Sequence, residues 1–138
     1  GGNLSAAQDP EFIYRWVKWM HQNYDRYKDA HVLLRGFTAE NVMSEAEIGY
    51  LPYHEGTIRY LQELGVWTEK AEKNAQYWDE IISEYLARYQ AAIADADSKG
   101  IEVSPENKEW IKLWYSYRAG LPEFVDRHPG LEPRIFTD

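Results

Sequence analysis

The chain has 138 residues, 44% of them apolar, and 15 basic against 23 acidic residues give it a net charge of −8. That length suits one ordinary domain core, and the acidic balance repels phosphate backbones and anionic lipid surfaces, which sets nucleic acid and membrane surfaces aside as partners. Cysteine is absent, which excludes disulfides, thiolate metal sites and thiol nucleophiles, and no apolar run approaches the roughly 20 residues that span a bilayer.

Residues 1–12 are small and polar and end on Asp9-Pro10-Glu11-Phe12, which looks like translated restriction sites. They are read as a cloning remnant and set outside the functional chain, and the sequon at Asn3 is set aside with them. From about Glu11 to Asp29, Ile13, Trp16, Val17, Met20, Tyr24 and Tyr27 recur at three- and four-residue steps and predict one helix. Tyr14 and Trp19 widen its apolar arc beyond what a single neighbour covers. Trp16, Trp19 and Tyr27 are therefore candidate interface residues, and a homodimer or swapped assembly is expected to bury them. The run His31 to Gly36 ends on a turn glycine; Thr38 offers an N-cap, and Ser44 with Glu47 fits a capping box.

Pro52 marks a break, after which Glu55 to Leu64 reads as a helix with Ile58, Leu61 and Leu64 on one side and Gly65 at its end. Thr68 starts the next helix. Ala71, Ala75, Trp78, Ile82, Tyr85, Tyr89, Ile93 and Ala96 then keep a heptad-like rhythm over about 69–98, a rod of about 45 Å closed by Gly100. Ser104-Pro105 is expected to open the following helix as cap and first-turn proline. Its inward face is Trp110, Ile111, Leu113, Trp114 and Tyr117, with Trp110 and Trp114 also candidates for contact with a partner. Leu121-Pro122 is expected to begin a short last turn, and 129–138 an irregular tail. No segment alternates with period two, so the fold class is all-α: antiparallel helical hairpins or a bundle with one long helix and little or no sheet. The helical domain is placed at 13–128.

Chemistry-bearing residues are scattered. His21, His31, His54 and His128 lack metal-ligand spacing, and no metal or cofactor is expected. His54, directly after Pro52-Tyr53 at a helix start, reads as an imidazole capping backbone amides in preference to a ligand contact. Glu45 with Glu47 and Asp95 with Asp97 read as solvated faces. Asp95 to Gly100 lacks the ligands of a calcium loop. No nucleophile elbow, phosphate loop or dinucleotide fingerprint is present, so no enzyme is indicated. Six Trp, eleven Tyr and four Phe could stack on a flat ligand, but their stripe spacing is that of core packing.

Three blocks carry a family likeness: Ile13 to Lys18, Leu33 to Val42, and above all Leu51-Pro52-Tyr53-His54-Glu55-Gly56-Thr57-Ile58-Arg59-Tyr60-Leu61-Gln62-Glu63-Leu64-Gly65-Val66-Trp67. Over 13–76 the chain resembles the C-terminal part of the TAXI-type solute-binding proteins of TRAP transporters. Pro52, Tyr53, His54, Gly56, Tyr60, Glu63 and Gly65 match the family signature as structural residues; Tyr53, Thr57 and Leu61 replace residues more common there. The resemblance implies a periplasmic receptor that binds a small, often carboxylate-bearing solute between two α/β lobes and hands it to an ion-coupled membrane transporter without catalysis. The solute would meet lobes lying upstream of this piece, so no ligand residue is assigned, and 77–128 is a helical extension outside the resemblance. The competing reading is a standalone helical protein-protein interaction module using the long helix and the Trp110 to Tyr117 face.

Overall fold

The computed structural model describes residue 5, residues 7–124 and residue 135. Among them are six α-helices: α1 (Pro10–Gln22), α2 (Tyr24–Tyr27), α3 (Ala39–Ala46), α4 (Glu55–Glu63), α5 (Glu69–Lys99) and α6 (Lys108–Arg118), with a 3-10 turn at Val32–Gly36. The protein is all-α. The one β feature described is an isolated antiparallel bridge between Pro122 and Ile135, where a last helical turn was expected at Leu121-Pro122. The expected irregular tail from His128 lies outside the described residues apart from Ile135.

The chain divides into two compact units, 1–76 and 77–138, and α5 starts in the first and ends in the second.

In the first unit the expected helix over 11–29 is two helices. Asn23 closes α1, its side-chain amide donating to Trp19 O (2.9 Å), and α2 restarts at once. The residues set aside as a remnant are part of this unit: Asp9 caps α1 by accepting from Glu11 N–H (3.0 Å), and Pro10 takes the first turn, where its missing N–H costs nothing. Thr38 caps α3 as expected, accepting from Asn41 N–H (3.2 Å). The capping box does not form, because Ser44 lies inside α3. Met43, Ala46, Leu61 and Ala71 make the core, with Val42, Tyr53, Val66 and Trp67 packed on it. On α4 the inward residues are Gly56, Thr57, Tyr60 and Leu61, so the buried face is turned from the expected Ile58 and Leu64 side. Gly65 takes φ +70° at the helix end, a conformation that favours glycine.

The first turns of α5 are fastened to the end of α3. Buried Asn74 donates from Nδ2 to Ala46 O (3.0 Å) and Gly49 O (2.8 Å). Glu47 accepts from Thr68 Oγ1 (2.9 Å) and pairs with Lys70 (3.1 Å), and these two partners hold its carboxyl below the usual range. Glu47 is thus a link between segments, where a solvated carboxylate was expected.

In the second unit Ala92, Ala96 and Trp110 form the core, flanked by Ile93, Ile101, Leu113, Trp114 and Tyr117. Small Ala92 and Ala96 on α5 leave the room that the Trp110 indole of α6 occupies. α6 starts at Lys108, capped by Asn107 Oδ1, which accepts from Glu109 N–H (3.0 Å). Ser104-Pro105 instead makes the turn before it, with Asn107 N–H donating to Ser104 O (3.1 Å). Arg88 donates to Tyr117 O (3.1 Å) and Ala119 O (2.9 Å), supplying donors to the unpaired carbonyls at the end of α6. Asp95, the other expected solvated carboxylate, pairs with Lys99 (2.8 Å) and accepts from Tyr117 O–H (3.3 Å).

Candidate functional site

Four residues of the sequence signature, His54, Gly56, Tyr60 and Glu63, meet at one place, the crossing of α1 and α4 in the first unit. The crossing is close because Gly56 has no side chain. A Cβ there would fall on the Pro10 carbonyl oxygen and stand 2.7 Å from Tyr14 N and 3.0 Å from Ile13 Cβ, so backbone meets backbone. Ile13 is fully buried at this crossing.

His54 stands at the N-terminal end of the contact and takes the capping role expected of it. Its Nδ1 accepts from Gly56 N–H (3.1 Å), which leaves the ring proton on Nε2, where it donates to Gln8 O (3.1 Å). One imidazole therefore closes the first turn of α4 and holds the chain that enters α1.

Along the seam the two helices are cross-linked by polar side chains. Arg59 of α4 pairs with Glu11 of α1 (2.5 Å), and its guanidinium lies 3.9 Å from the Tyr14 ring centre. Arg15 adds a second partner to Glu11 (2.7 Å). Further on, Glu63 accepts from Lys18 (2.7 Å) and from the Tyr14 hydroxyl, and Lys18 also donates to Tyr14 Oη (2.9 Å). Arg59 and then Arg15 hold the Glu11 carboxyl below its ordinary range; Lys18 and then Tyr14 do the same for Glu63. Tyr60 is 2% exposed, edge-on to Tyr14, with its hydroxyl hydrogen-bonded to His21 Nδ1 (2.8 Å). Burial raises the Tyr60 phenol.

Tyr53 joins the same block to α3. Its hydroxyl donates to Val42 O (3.2 Å), and burial, with a smaller push from Glu45, raises it to about 12. Glu11, Tyr14, Lys18 and Arg59 complete the seam; none was singled out as a site residue in sequence. The three-to-four-residue spacing of Glu11, Tyr14, Lys18 and His21 placed them on one helical face, but nothing in the sequence placed Arg59 and Glu63 opposite.

This arrangement fastens; it does not enclose a ligand. The charged and hydroxyl side chains named at the seam are matched to one another. The depression found elsewhere in the unit, about 420 Å³, is open and shallow, lined by Ala39, Glu40, Met43, Ser44, Glu47 and Val66. Among the described residues no group of three or more His, Asp or Glu could hold a metal ion, and no helix is long and apolar enough to cross a membrane.

The candidate interface residues divide. Phe12 (55% exposed), Trp16 (41%) and Trp19 (52%) form an exposed stripe, since steps of four and three residues return to one helical face, and that face is opposite the one Ile13 and Tyr14 press on α4. Tyr27 is half-buried, its hydroxyl donating to Met20 O (3.0 Å) and its ring edge-on to Tyr24. Trp110 is 6% exposed and part of the second unit's own core, so it is no docking residue. Trp114 is half-buried against Tyr85 and Tyr89.

Residues 3–65 match the NMT1-like family, a family of solute-binding proteins. The match ends at Gly65, two residues before the end of the signature block at Trp67, and begins within the stretch read as a remnant. No curated protein and no solved structure matches the chain.

Proposed function

We propose that the chain is the C-terminal helical part of a periplasmic solute-binding receptor of the TAXI type, serving a TRAP-type ion-coupled transporter by binding and without catalysis. The observation that carries this reading is that the signature residues Pro52 to Gly65 lie inside the matched segment and that His54, Gly56, Tyr60 and Glu63 among them are spent on the α1 and α4 crossing, as parts of a scaffold. A scaffold with its polar groups paired leaves the solute to other parts of the receptor. The solute, a small organic carboxylate, is then held by α/β lobes encoded upstream, and the transporter's membrane subunits are the partners of the assembled receptor. The exposed Phe12, Trp16 and Trp19 stripe is the surface such lobes would cover.

The test is a thermal-melt comparison of the chain with its parent polypeptide, lobes included, against a panel of small carboxylates. A ligand that binds only the folded parent raises its melting temperature by mass action, and the chain alone is expected to show no rise. An equal rise for the chain alone, or none for the parent across the panel, contradicts the reading. The same stripe favours a second reading, a standalone interaction module, in which Trp16 and Trp19 meet a protein partner or a second copy of the chain.

A further inference from the structure

We infer that His54 is a pH-gated fastening between the entry to α1 and the first turn of α4, closed when the imidazole is neutral and opened by its protonation. The inference stands apart from the receptor reading and rests on the two ends of one ring. Nδ1 accepts from Gly56 N–H and Nε2 donates to Gln8 O, each at 3.1 Å. A neutral imidazole has one acceptor and one donor, and this site uses both. A second proton can go only to Nδ1, which turns the acceptor into a donor facing another donor. The amide of Gly56 then loses its cap, and the added positive charge sits at the positive end of α4.

The neighbouring ionisable groups do not relieve this. On the α1 side they are Asp9, whose carboxylate accepts from Glu11 N–H, and Glu11, which is paired with Arg59 and Arg15. On the α4 side they are Glu55 and Arg59. Imidazole is the side chain type that changes charge near neutral pH, whereas Arg59 and then Arg15 hold the Glu11 carboxyl below its ordinary range. The consequence reaches past the cap because Gly56 is where α4 meets the backbone of Pro10 and Tyr14. Loosening the first turn of α4 loosens the support of α1, and with it the footing of the Phe12, Trp16 and Trp19 stripe.

The test uses the whole chain and His54→Asn, a substitution that keeps a side-chain cap but cannot titrate. Nitrogen NMR of the His54 ring near pH 7.5 is expected to find the neutral form protonated on Nε2. Amide hydrogen exchange, corrected for its intrinsic pH dependence, is expected to run roughly fivefold faster at Gly56, Thr57 and Ile13 near pH 5.5 than near pH 7.5 in the wild type, the size of a lost cap. In His54→Asn the ratio is expected to stay near one. A ring protonated on Nδ1, an unchanged exchange ratio in the wild type, or the same acceleration in both proteins would overturn the inference.

Discussion

A methyl group at Gly56 has no room, because its nearest neighbours are main-chain atoms of α1, which cannot swing aside as a side chain would. Gly56→Ala is therefore expected to cost about 1–3 kcal/mol, as overpacking of a close contact does, read as a lower urea midpoint for the first unit; an unchanged midpoint would mean the helices part without cost. Glu11 and Glu63 give a second prediction. Their folded carboxyls are held below the ordinary glutamate range by their cation partners, so their contribution to stability is present above that range and lost as pH falls through the folded range. Acid titration of the melting temperature is expected to show this loss below about pH 4.5, with Glu63→Gln flattening it; equal slopes in both proteins would remove the clasp from the account. Both residues are open to water, so the effect is modest and salt-screened. At this scale the cap at His54 was legible, since a polar ring directly before a helix start has few other uses. The demand at Gly56 was not: a glycine in a helix reads the same whether it faces water or another backbone.

For the elements, periodicity foretold type well and boundaries less well. The long helix expected over 69–98 is α5, Glu69–Lys99, and Gly100 closes it at φ +67°. The start of α6 misled because Ser104-Pro105 and Asn107 both suit a helix entry, and only geometry shows that Pro105 and Glu106 make a turn ahead of it. Asn107→Ala is expected to cost about 1 kcal/mol of the second unit's stability as a lost cap, in chemical denaturation, and Ser104→Ala markedly less; the reverse order would restore the sequence reading. The tryptophans separate similarly. Trp110, inside the core, is expected to cost about 3–5 kcal/mol on truncation to Ala. Trp16→Lys with Trp19→Lys is expected to shift stability by less than about 0.5 kcal/mol per site and to reduce self-association in sedimentation. A wild type that stays monomeric at high concentration would contradict the expectation of self-association through this stripe. A stripe pattern alone could not make this distinction, because an aromatic at helical spacing looks alike on an inward and an outward face.

At the scale of the whole molecule, the family match and the signature both fall in the first unit, while the second, which packs the later turns of α5 on α6, is not reached by the match. Composition and periodicity made the all-α class legible, and the signature block pointed to the family whose model matches residues 3–65. What they could not give was the use of the signature: its glycine, histidine, tyrosine and glutamate are spread over ten residues, and their common purpose emerges only when α1 is laid across them. That purpose is mechanical, in keeping with the proposal that the receptor meets its solute through other parts. The most direct measurement is to read the source gene upstream of the codons for residues 1–12, which the family match and the first helix already include. A signal peptide followed by alternating strand and helix patterns that encode the two lobes is the predicted result. A start codon close to those codons would leave no room for a solute cleft, and would turn the chain into the interaction module that its exposed tryptophans also suit.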